Sequence, residues 1–560
     1  MATEFRITGP PGTGKTAMIQ LEVEARAEEY DPSEIVLTSL TRSAAAVLRG
    51  RVNVPHHNIG TLHSHAYRVL GSPPIAEVGA LRKQWNEQSG LPESWMIGNT
   101  HGENDLEDGF LPLGTNGQRS EMYNVARARM LPPEHPLCIE SKEFAARWEH
   151  FKADTESIDF TDMIALAMRD VDTAPSMPRI LIADEAQDFV PLQWALIRKW
   201  AAHESVDRFI VAGDPAQVLY SFAGARPDDF LIELPDDHQR VLSHSYRLPS
   251  VVHTFAEHLL QLHSHDLLHK RIYTPRTDGG EVRRLKLRGM SDTWRAPDGV
   301  IHEAQEMIEQ GKTVMILASC NYMLQPVVSM LRTKGIPFHN EYRKNAGHWN
   351  PLGTAGEGRV RTVDRVLAFL RPDVKTWGED AELYTPQEAQ SWAEMLNANV
   401  FTAHGTKAAI KRSATAFPVD DEELTAPMYW LDWLATEAGG AMERLSDLDL
   451  TWLAQNVAKP YRRTVQYCAE IRQINGGAAL RNPPRVTVGT IHSVKGGEAD
   501  VVYLFPDLSR AAWQQMRNSQ EGMDSAVRVG YVGATRAREQ LVIGSAVRLG
   551  MSSMSLPGFD

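Results

Sequence analysis

One short segment, Gly9-Pro10-Pro11-Gly12-Thr13-Gly14-Lys15-Thr16, constrains the fold of this chain more than any other. It follows the strand-like Glu4–Thr8 and opens an amphipathic stretch at Lys15. A loop of this kind works between a buried strand and a helix N-terminus, where unpaired backbone N–H groups face an anion. The glycines let those groups close around phosphate oxygens, Lys15 reaches the β- and γ-phosphates, and the Thr16 hydroxyl is suited to Mg²⁺. The whole octapeptide, including Pro10, Pro11, Thr13 and Gly14, is therefore read as nucleotide-binding.

A second segment is built to work with the first. The apolar run Ile180–Ala183 delivers Asp184 and Glu185, within Leu181-Ile182-Ala183-Asp184-Glu185-Ala186-Gln187-Asp188, to the C-terminal edge of a sheet, where α/β folds bind ligands. Asp184 is the candidate Mg²⁺ ligand, and Glu185 the group that orients or deprotonates an attacking water. ATP and Mg²⁺ are the expected cofactors.

The remaining pattern extends this sheet. Ile35–Leu37 and Phe209–Ala212 close on small or polar residues and alternate with helical stretches such as Ala17–Tyr30, as in a parallel sheet covered on both faces. From 71 to 178 the composition turns to Trp-, Arg- and Glu-rich helical segments, broken by a Gly/Asn/Asp-rich loop from Gly98 to Gly117. A second α/β pattern begins near Gln239, with strands expected at Val282–Leu287, Val314–Ala318 and Ile336–Phe338. It is interrupted from the Gly-rich Asn345–Gly358 to about Gly477, then resumes at Arg485–Gly489, Val501–Phe505 and Leu541–Gly544.

At 560 residues the chain needs more than one core. Three widely separated cysteines, Cys138, Cys320 and Cys468, have no metal-ligand spacing and suit a reducing compartment. No basic-apolar leader is recognisable, and no apolar run approaches the ~20 residues that span a bilayer, so a cytoplasmic protein without a membrane partner is expected. The net charge of -13 disfavours binding to nucleic acid over the whole surface, but a local basic groove is compatible with it.

A third segment, Gly213-Asp214-Pro215-Ala216-Gln217-Val218-Leu219-Tyr220-Ser221-Phe222-Ala223-Gly224-Ala225, follows a buried strand. Gln217 can bond both a γ-phosphate and a neighbouring loop, and so report whether the nucleotide is intact. Alone, the segment would read as a polar turn with core aromatics. Five more segments remove that ambiguity: Thr38-Ser39-Leu40-Thr41-Arg42-Ser43-Ala44-Ala45-Ala46, Gly60-Thr61-Leu62-His63-Ser64-His65-Ala66-Tyr67, Ser245-Tyr246-Arg247, Val488–Glu498 and Tyr531–Arg538. In this order, and with Ile158–Asp162 ahead of the acidic strand, they resemble the signatures of superfamily 1 helicases of the UvrD/Rep/PcrA type.

The resemblance implies an α/β fold of two tandem RecA-like P-loop domains with parallel sheets, each carrying a mainly helical insertion. The expected boundaries are 1–70 with 179–238 and 239–344 with 478–560 for the two domains, and 71–178 and 345–477 for the insertions, the second one reduced. It implies an ATP-dependent 3′–5′ DNA helicase or translocase, acting as a monomer on single-stranded and tailed duplex DNA, with replication or repair proteins as further partners. Lys15, Glu185, Gln217, Arg247 and Arg536 carry hydrolysis in this reading, the two arginines reaching the γ-phosphate when a cleft closes. Tyr246 stacks on adenine and Glu498 contacts the ribose or triphosphate. Thr61, His63, Tyr220, Phe222, Thr490 and His492 meet the DNA strand, Phe222 by stacking on a base. From the residues alone, each arginine reads more readily as a surface ion pair and each histidine as a structural one.

The chain departs from the family pattern at several places. No Gln-bearing segment precedes Gly9, which opens the site to nucleotides other than ATP; Leu40, Phe222 and Ala223 stand where an aromatic, a Trp and an Arg are usual, and looser single-strand binding is expected. The reduced second insertion points to translocation surviving where strong unwinding does not, and the end at Asp560 leaves no space for a fused nuclease. An RNA-directed motor and an ATP-using accessory factor with weak unwinding are the rival readings.

Overall fold

The computed structural model describes residues 3–26, 28–88, 90–97, 118–264, 273–276, 279–343, 347–353, 360–370, 386–397, 400, 450–549 and 552–559. The sequence-expected loop 98–117 and most of the second insertion lie outside them. The chain is α/β, with two six-stranded sheets. In chain order their strands are β1 (Glu4–Thr8), β2 (Ile35–Ser39), β3 (Ile59–Thr61), β4 (Ile180–Asp184), β5 (Arg208–Gly213), β6 (Gln239–Val241), β7 (Glu281–Arg284), β8 (Val314–Ala318), β9 (Phe338–His339), β10 (Val486–Thr490), β11 (Ala499–Leu504) and β12 (Ala537–Ile543). The first sheet has the order β3-β2-β4-β5-β1-β6 and the second β7-β12-β11-β8-β10-β9.

The first sheet is parallel in all its pairings. Its central strands are apolar on both faces, and β4 shows why: Ile180 and Ile182 join a core with Ile7, Ile19 and Ile210, while Leu181 and Ala183 join Phe189, Trp194 and Phe209 on the other side. Period-two alternation thus disappears from the sequence because both faces are covered by helices. The register sets Ser39 opposite Asp184 on one side and Thr61 on the other, so three polar strand ends share one edge. Gln239–Val241, read from the sequence as the start of the second pattern, is the sixth strand of this sheet and pairs with β1.

The helices that concern the site are α1 (Lys15–Glu24), α2 (Arg42–Arg49), α3 (Leu62–Val69), α4 (Gly79–Asn86), α5 (Gln118–Ala128), α6 (Pro136–Asp154), α7 (Phe160–Asp170), α8 (Pro191–Ala201), α9 (Pro227–Phe230), α10 (Ser250–Leu260) and α11 (Gln520–Ala534). Helix α1 stops at Glu24, short of the expected Tyr30, and β7 stops at Arg284 rather than Leu287.

Helices α4 to α6 contribute to a separate aromatic core. Trp85 is fully buried, with Trp148 at 4.8 Å and Phe151 at 5.3 Å between ring centroids. Beside it lies a buried charge network in which Arg127 and Lys152 each bond Asp159, at 2.5 Å and 2.9 Å, and also meet Asp162. Glu77 enters this network from the segment before α4, accepting from Phe160 N at 2.8 Å. Burial, with the Asp159 charge adding to it, raises the Glu77 carboxyl from its ordinary value near 4.5 to about 7. A carboxyl raised on folding adds stability in full below its ordinary pKa and loses it as pH climbs through the folded value. Glu77→Gln, which stays neutral, is therefore expected to match the wild type near pH 5 and exceed it by about 1–3 kcal/mol at pH 8. Urea midpoints at the two pH values measure the difference.

The chain divides into two compact units, Met1–Lys286 with Leu317–Met323 and Thr490–Asp560, and Leu287–Ile316 with Leu324–Gly489. The first contains every sequence-predicted site residue. In the second, β10 pairs with β9 in parallel, Val486 opposite Phe338. The helices Asp298–Glu309, Gln325–Thr333 and Lys459–Asn475 bury Val300, Val327 and Cys468 there. Among the described residues no helix is long and apolar enough to cross a membrane.

Candidate nucleotide and nucleic-acid site

The loop between β1 and α1 is shaped by its own glycines. Gly12 and Gly14 have φ of 73° and 82°, left-handed values that cost a side-chain-bearing residue energy. At Gly9 the constraint is space, since a Cβ would lie 2.3 Å from Thr13 Oγ1. Gly9 N donates to Gly213 O at 3.2 Å, which fixes the loop against the end of β5, and Thr13 Oγ1 donates to Pro10 O at 2.8 Å. Lys15 folds over the loop and donates to Gly9 O at 2.8 Å. Thr16 is the second residue of α1. The loop thus pairs glycine-rich backbone at a helix N-terminus with one ammonium, the groups with which loops of this kind bind an anion.

Ser245-Tyr246-Arg247 docks directly on this loop. Tyr246 N donates to Gly12 O at 2.8 Å, Ser245 Oγ donates to Pro11 O at 2.8 Å, and a Cβ on Gly12 would strike Arg247 Cβ at 2.3 Å. The Tyr246 ring is 69% exposed, with the His244 ring edge-on at 4.8 Å. A large exposed aromatic held by its backbone to a phosphate loop is a platform on which a planar base can stack. Arg247 Nε is bonded to Glu498 Oε2 at 2.7 Å, and Glu498 Oε1 lies 3.3 Å from Arg538. Burial acts to raise the Glu498 carboxyl, but Arg247 beside it prevails and holds it below the usual range.

Asp184 is buried at the end of β4, and Glu185 follows in a left-handed conformation, φ 53°, with Glu185 N donating to Asp184 Oδ1 at 2.9 Å. Burial, reinforced by the Glu185 charge, pushes the Asp184 carboxyl up. Burial would raise Glu185 too, but Lys495 and Lys15 outweigh it and keep that carboxyl well below its ordinary value. Lys495 Nζ lies 3.3 Å from Glu185 Oε2, is bonded to Asp188, and donates to Gln217 O at 3.2 Å. Gln187 and Asp188 tie the acidic loop to the next one: Asp214 N donates to Gln187 Oε1 and Leu219 N to Asp188 Oδ1, both at 3.0 Å.

Two adjacent carboxyls, one of them pushed toward protonation by burial and then by the charge of the other, make an oxygen donor set of the kind a hard divalent cation relieves, and the Thr16 hydroxyl is of the same donor type.

Gln217 is held on both sides. Its amide donates to Asp214 Oδ2 at 2.8 Å, and its Oε1 accepts from Arg536 at 2.9 Å. Arg536 is fully buried and also donates to Val532 O at 2.9 Å and Gly497 O at 3.2 Å. The surface ion pair, one of two readings of this arginine from sequence, is thereby replaced by a buried link to Gln217.

The strand-contact candidates fall into a pattern that the sequence analysis did not draw out. Thr61 and Thr490 end β3 and β10, and each begins a Thr-x-His-Ser turn. Ser64 N and Ser493 N donate to the two threonine hydroxyls, both at 3.2 Å, and each serine hydroxyl returns to the threonine carbonyl at 2.8 Å. The same cap thus occurs once at each position, with His63 and His492 two residues beyond the strand. Burial lowers His63 to about 4, so its ring is neutral at physiological pH, edge-on to Phe160. His492 is buried, with the rings of Tyr220 at 6.5 Å and Phe222 at 6.1 Å. Tyr220 is only 4% exposed and lies under Lys495, whereas Phe222 is half-buried, so Phe222 offers the accessible face. Leu40 packs against the core cluster that contains Phe189.

Gln187, Asp188, Lys495 and Arg528 form the connections between these loops, and sequence reasoning assigned them no role. Their only sequence signal was their place inside or just before the quoted signatures.

Fold and site together define a RecA-like P-loop NTPase. Residues 1–237 match the family described as UvrD/REP helicase N-terminal domain, and residues 454–548 match UvrD-like helicase C-terminal domain. The chain belongs to the UvrD/Rep family of superfamily 1A helicases. It is 25% identical to ATP-dependent DNA helicase UvrD2 of Mycobacterium tuberculosis, over 96% of this chain and 75% of that protein. It is 24% identical to ATP-dependent DNA helicase Rep of Escherichia coli (65% and 59%), and 22% to a probable DNA helicase II homolog of Mycoplasma capricolum (60% and 49%). The chain thus spans between about half and three quarters of the length of these relatives.

Proposed function

We propose that this chain is an ATP-dependent DNA helicase or translocase that moves 3′ to 5′ on single-stranded DNA in replication, repair or recombination. The reading rests chiefly on one observation: Ser245–Arg247, Lys495 and Arg536, far along the chain, converge on the phosphate loop, the acidic pair and Gln217. In this proposal Lys15 and the loop amides hold the triphosphate, Tyr246 stacks on the base, and Glu185 receives the proton of the attacking water. Thr16 and Asp184 would hold Mg²⁺, which supplies charge neutralisation at the phosphates. Arg247 leaves Glu498 for the γ-phosphate, and Arg536 reaches it from its place beside Gln217.

Phe222, flanked by His492, stacks on a base, while Thr61, His63 and Thr490 border the strand path and Tyr220 supports it from below. The four-part division, 1–70 with 179–238, 71–178, 239–344 with 478–560 and 345–477, is proposed to act as two motor domains with two insertions. Strand displacement on tailed duplexes tests the reading. Unwinding of a 3′-tailed but not a 5′-tailed substrate is expected, and the reverse preference would overturn the polarity. ATP turnover stimulated more by RNA than by DNA oligonucleotides would favour an RNA-directed motor, and stimulation by DNA without displacement would favour a translocase or accessory factor.

A further inference from the structure

The loop Gln217–Phe222 is gripped at two points by one helix and the turn that follows it. At its start Gln217 is bonded to Arg536, just beyond the C-terminus of α11. Further along, Arg528 within α11 donates to Val218 O at 3.0 Å and Ser221 Oγ at 2.7 Å. Arg528 is 3% exposed and, among the described residues, makes no ion pair. Its third partner is His263 Nε2 at 2.6 Å, beyond α10. Because a guanidinium only donates, Nε2 accepts, the imidazole proton sits on Nδ1, and that side faces Asp524 at 3.9 Å. Asp524 is itself fixed by Ser264 N at 2.9 Å and Gln520 Nε2 at 3.0 Å.

A buried arginine carries a desolvation cost, which three aligned acceptors offset only while the loop keeps this position. From Arg528 the helix continues six residues to Ala534, ~9 Å of helix rise, and Arg536 follows directly after its C-cap Thr535, a stiff connection rather than a flexible tether. Ser221 adjoins Phe222, so a displacement of Phe222 cannot be absorbed inside the loop.

We infer that Arg528, supported by His263, is a positioning residue that locks the Phe222 loop to α11, so that strand occupancy at Phe222 is transmitted to Gln217 and Arg536. This rests on the proposed DNA-motor reading. Without the lock, the strand still binds and ATP is still cleaved, but the first event no longer accelerates the second.

The test uses the full chain, with oligo-dT as probe. ATP turnover is measured without DNA and at saturating DNA for the wild type, Ser221→Ala and Arg528→Lys, so that weaker strand binding does not enter. In both variants basal kcat and the KM for ATP are expected within about twofold of wild type, while the DNA-stimulated kcat falls roughly 3- to 30-fold. Basal and stimulated kcat falling in parallel, or stimulation equal to wild type, would overturn the inference. If Arg528→Lys does not fold, Ser221→Ala decides, since it deletes a single hydroxyl. A wild type that DNA fails to stimulate would sink the motor reading instead, and is distinguishable because no variant is involved.

Discussion

Glu185→Gln is expected to lower kcat for ATP hydrolysis by ~10²–10⁴-fold, the usual contribution of a general base, while nucleotide affinity changes little. The substitution keeps shape and the Gln187 contact available but removes the charge that Lys495 and Lys15 hold in place. Those two ammonium groups make the carboxylate the resident form near neutrality, which is the form that takes a proton from water. Lys495 also reaches Asp188 and the Gln217 carbonyl, so the same cation contacts Glu185, the acidic loop and the following loop at once. Pre-steady-state turnover with tight nucleotide binding retained is the measurement. Hydrolysis at the wild-type rate would move the base elsewhere, and loss of binding would mean that Glu185 is structural.

How much of this was legible before the fold was seen depended on the range of the interactions involved. The central strands β2, β4 and β5 are buried on both faces and appear as short uninterrupted apolar runs. Two strands of the same sheet escaped notice. Ile59–Thr61 is only three residues long and turns at once into α3, and Gln239–Val241 is exposed throughout, so neither carries an apolar pattern. The phosphate loop could be read because its constraint is local: glycines at left-handed φ and next to a side chain that leaves no room for a Cβ. Lys495 and Arg528 could not be read. Each acts on a partner 307 residues away, Asp188 for the first and Ser221 for the second, and nothing in the local sequence distinguishes them from solvated cations. Arg127 and Lys152 were hidden although Asp159 is only 32 and 7 residues away, because their partner is supplied by the turn before α7 and only the packing of the helices brings the charges together.

Arg247→Ala is expected to cost ~10³–10⁵-fold in kcat, the range of an arginine finger in phosphoryl transfer, and Arg536→Lys a comparable loss. The two differ in what else they break. Arg247 is paired with Glu498, which retains Arg538 as a second partner, so its removal leaves no buried charge alone and the fold should keep its thermal midpoint. Arg536 is fully buried and satisfies the carbonyls of Val532 and Gly497 as well as Gln217. A lysine there keeps the charge but cannot reproduce the planar fork, so some stability is lost together with rate. Melting curves without nucleotide, set beside kcat at saturating ATP, separate these effects. For Arg247 the prediction is a large loss of rate with an unchanged midpoint, and an unchanged rate would leave it as the ion-pair partner of Glu498 alone. For Arg536 the rate must fall far more than the midpoint shift accounts for at the assay temperature. If the rate loss tracks only the fraction unfolded, Arg536 is a buttress of α11 and Gln217 answers to a different cation. Lys495 is such a cation, already 3.2 Å from the Gln217 carbonyl.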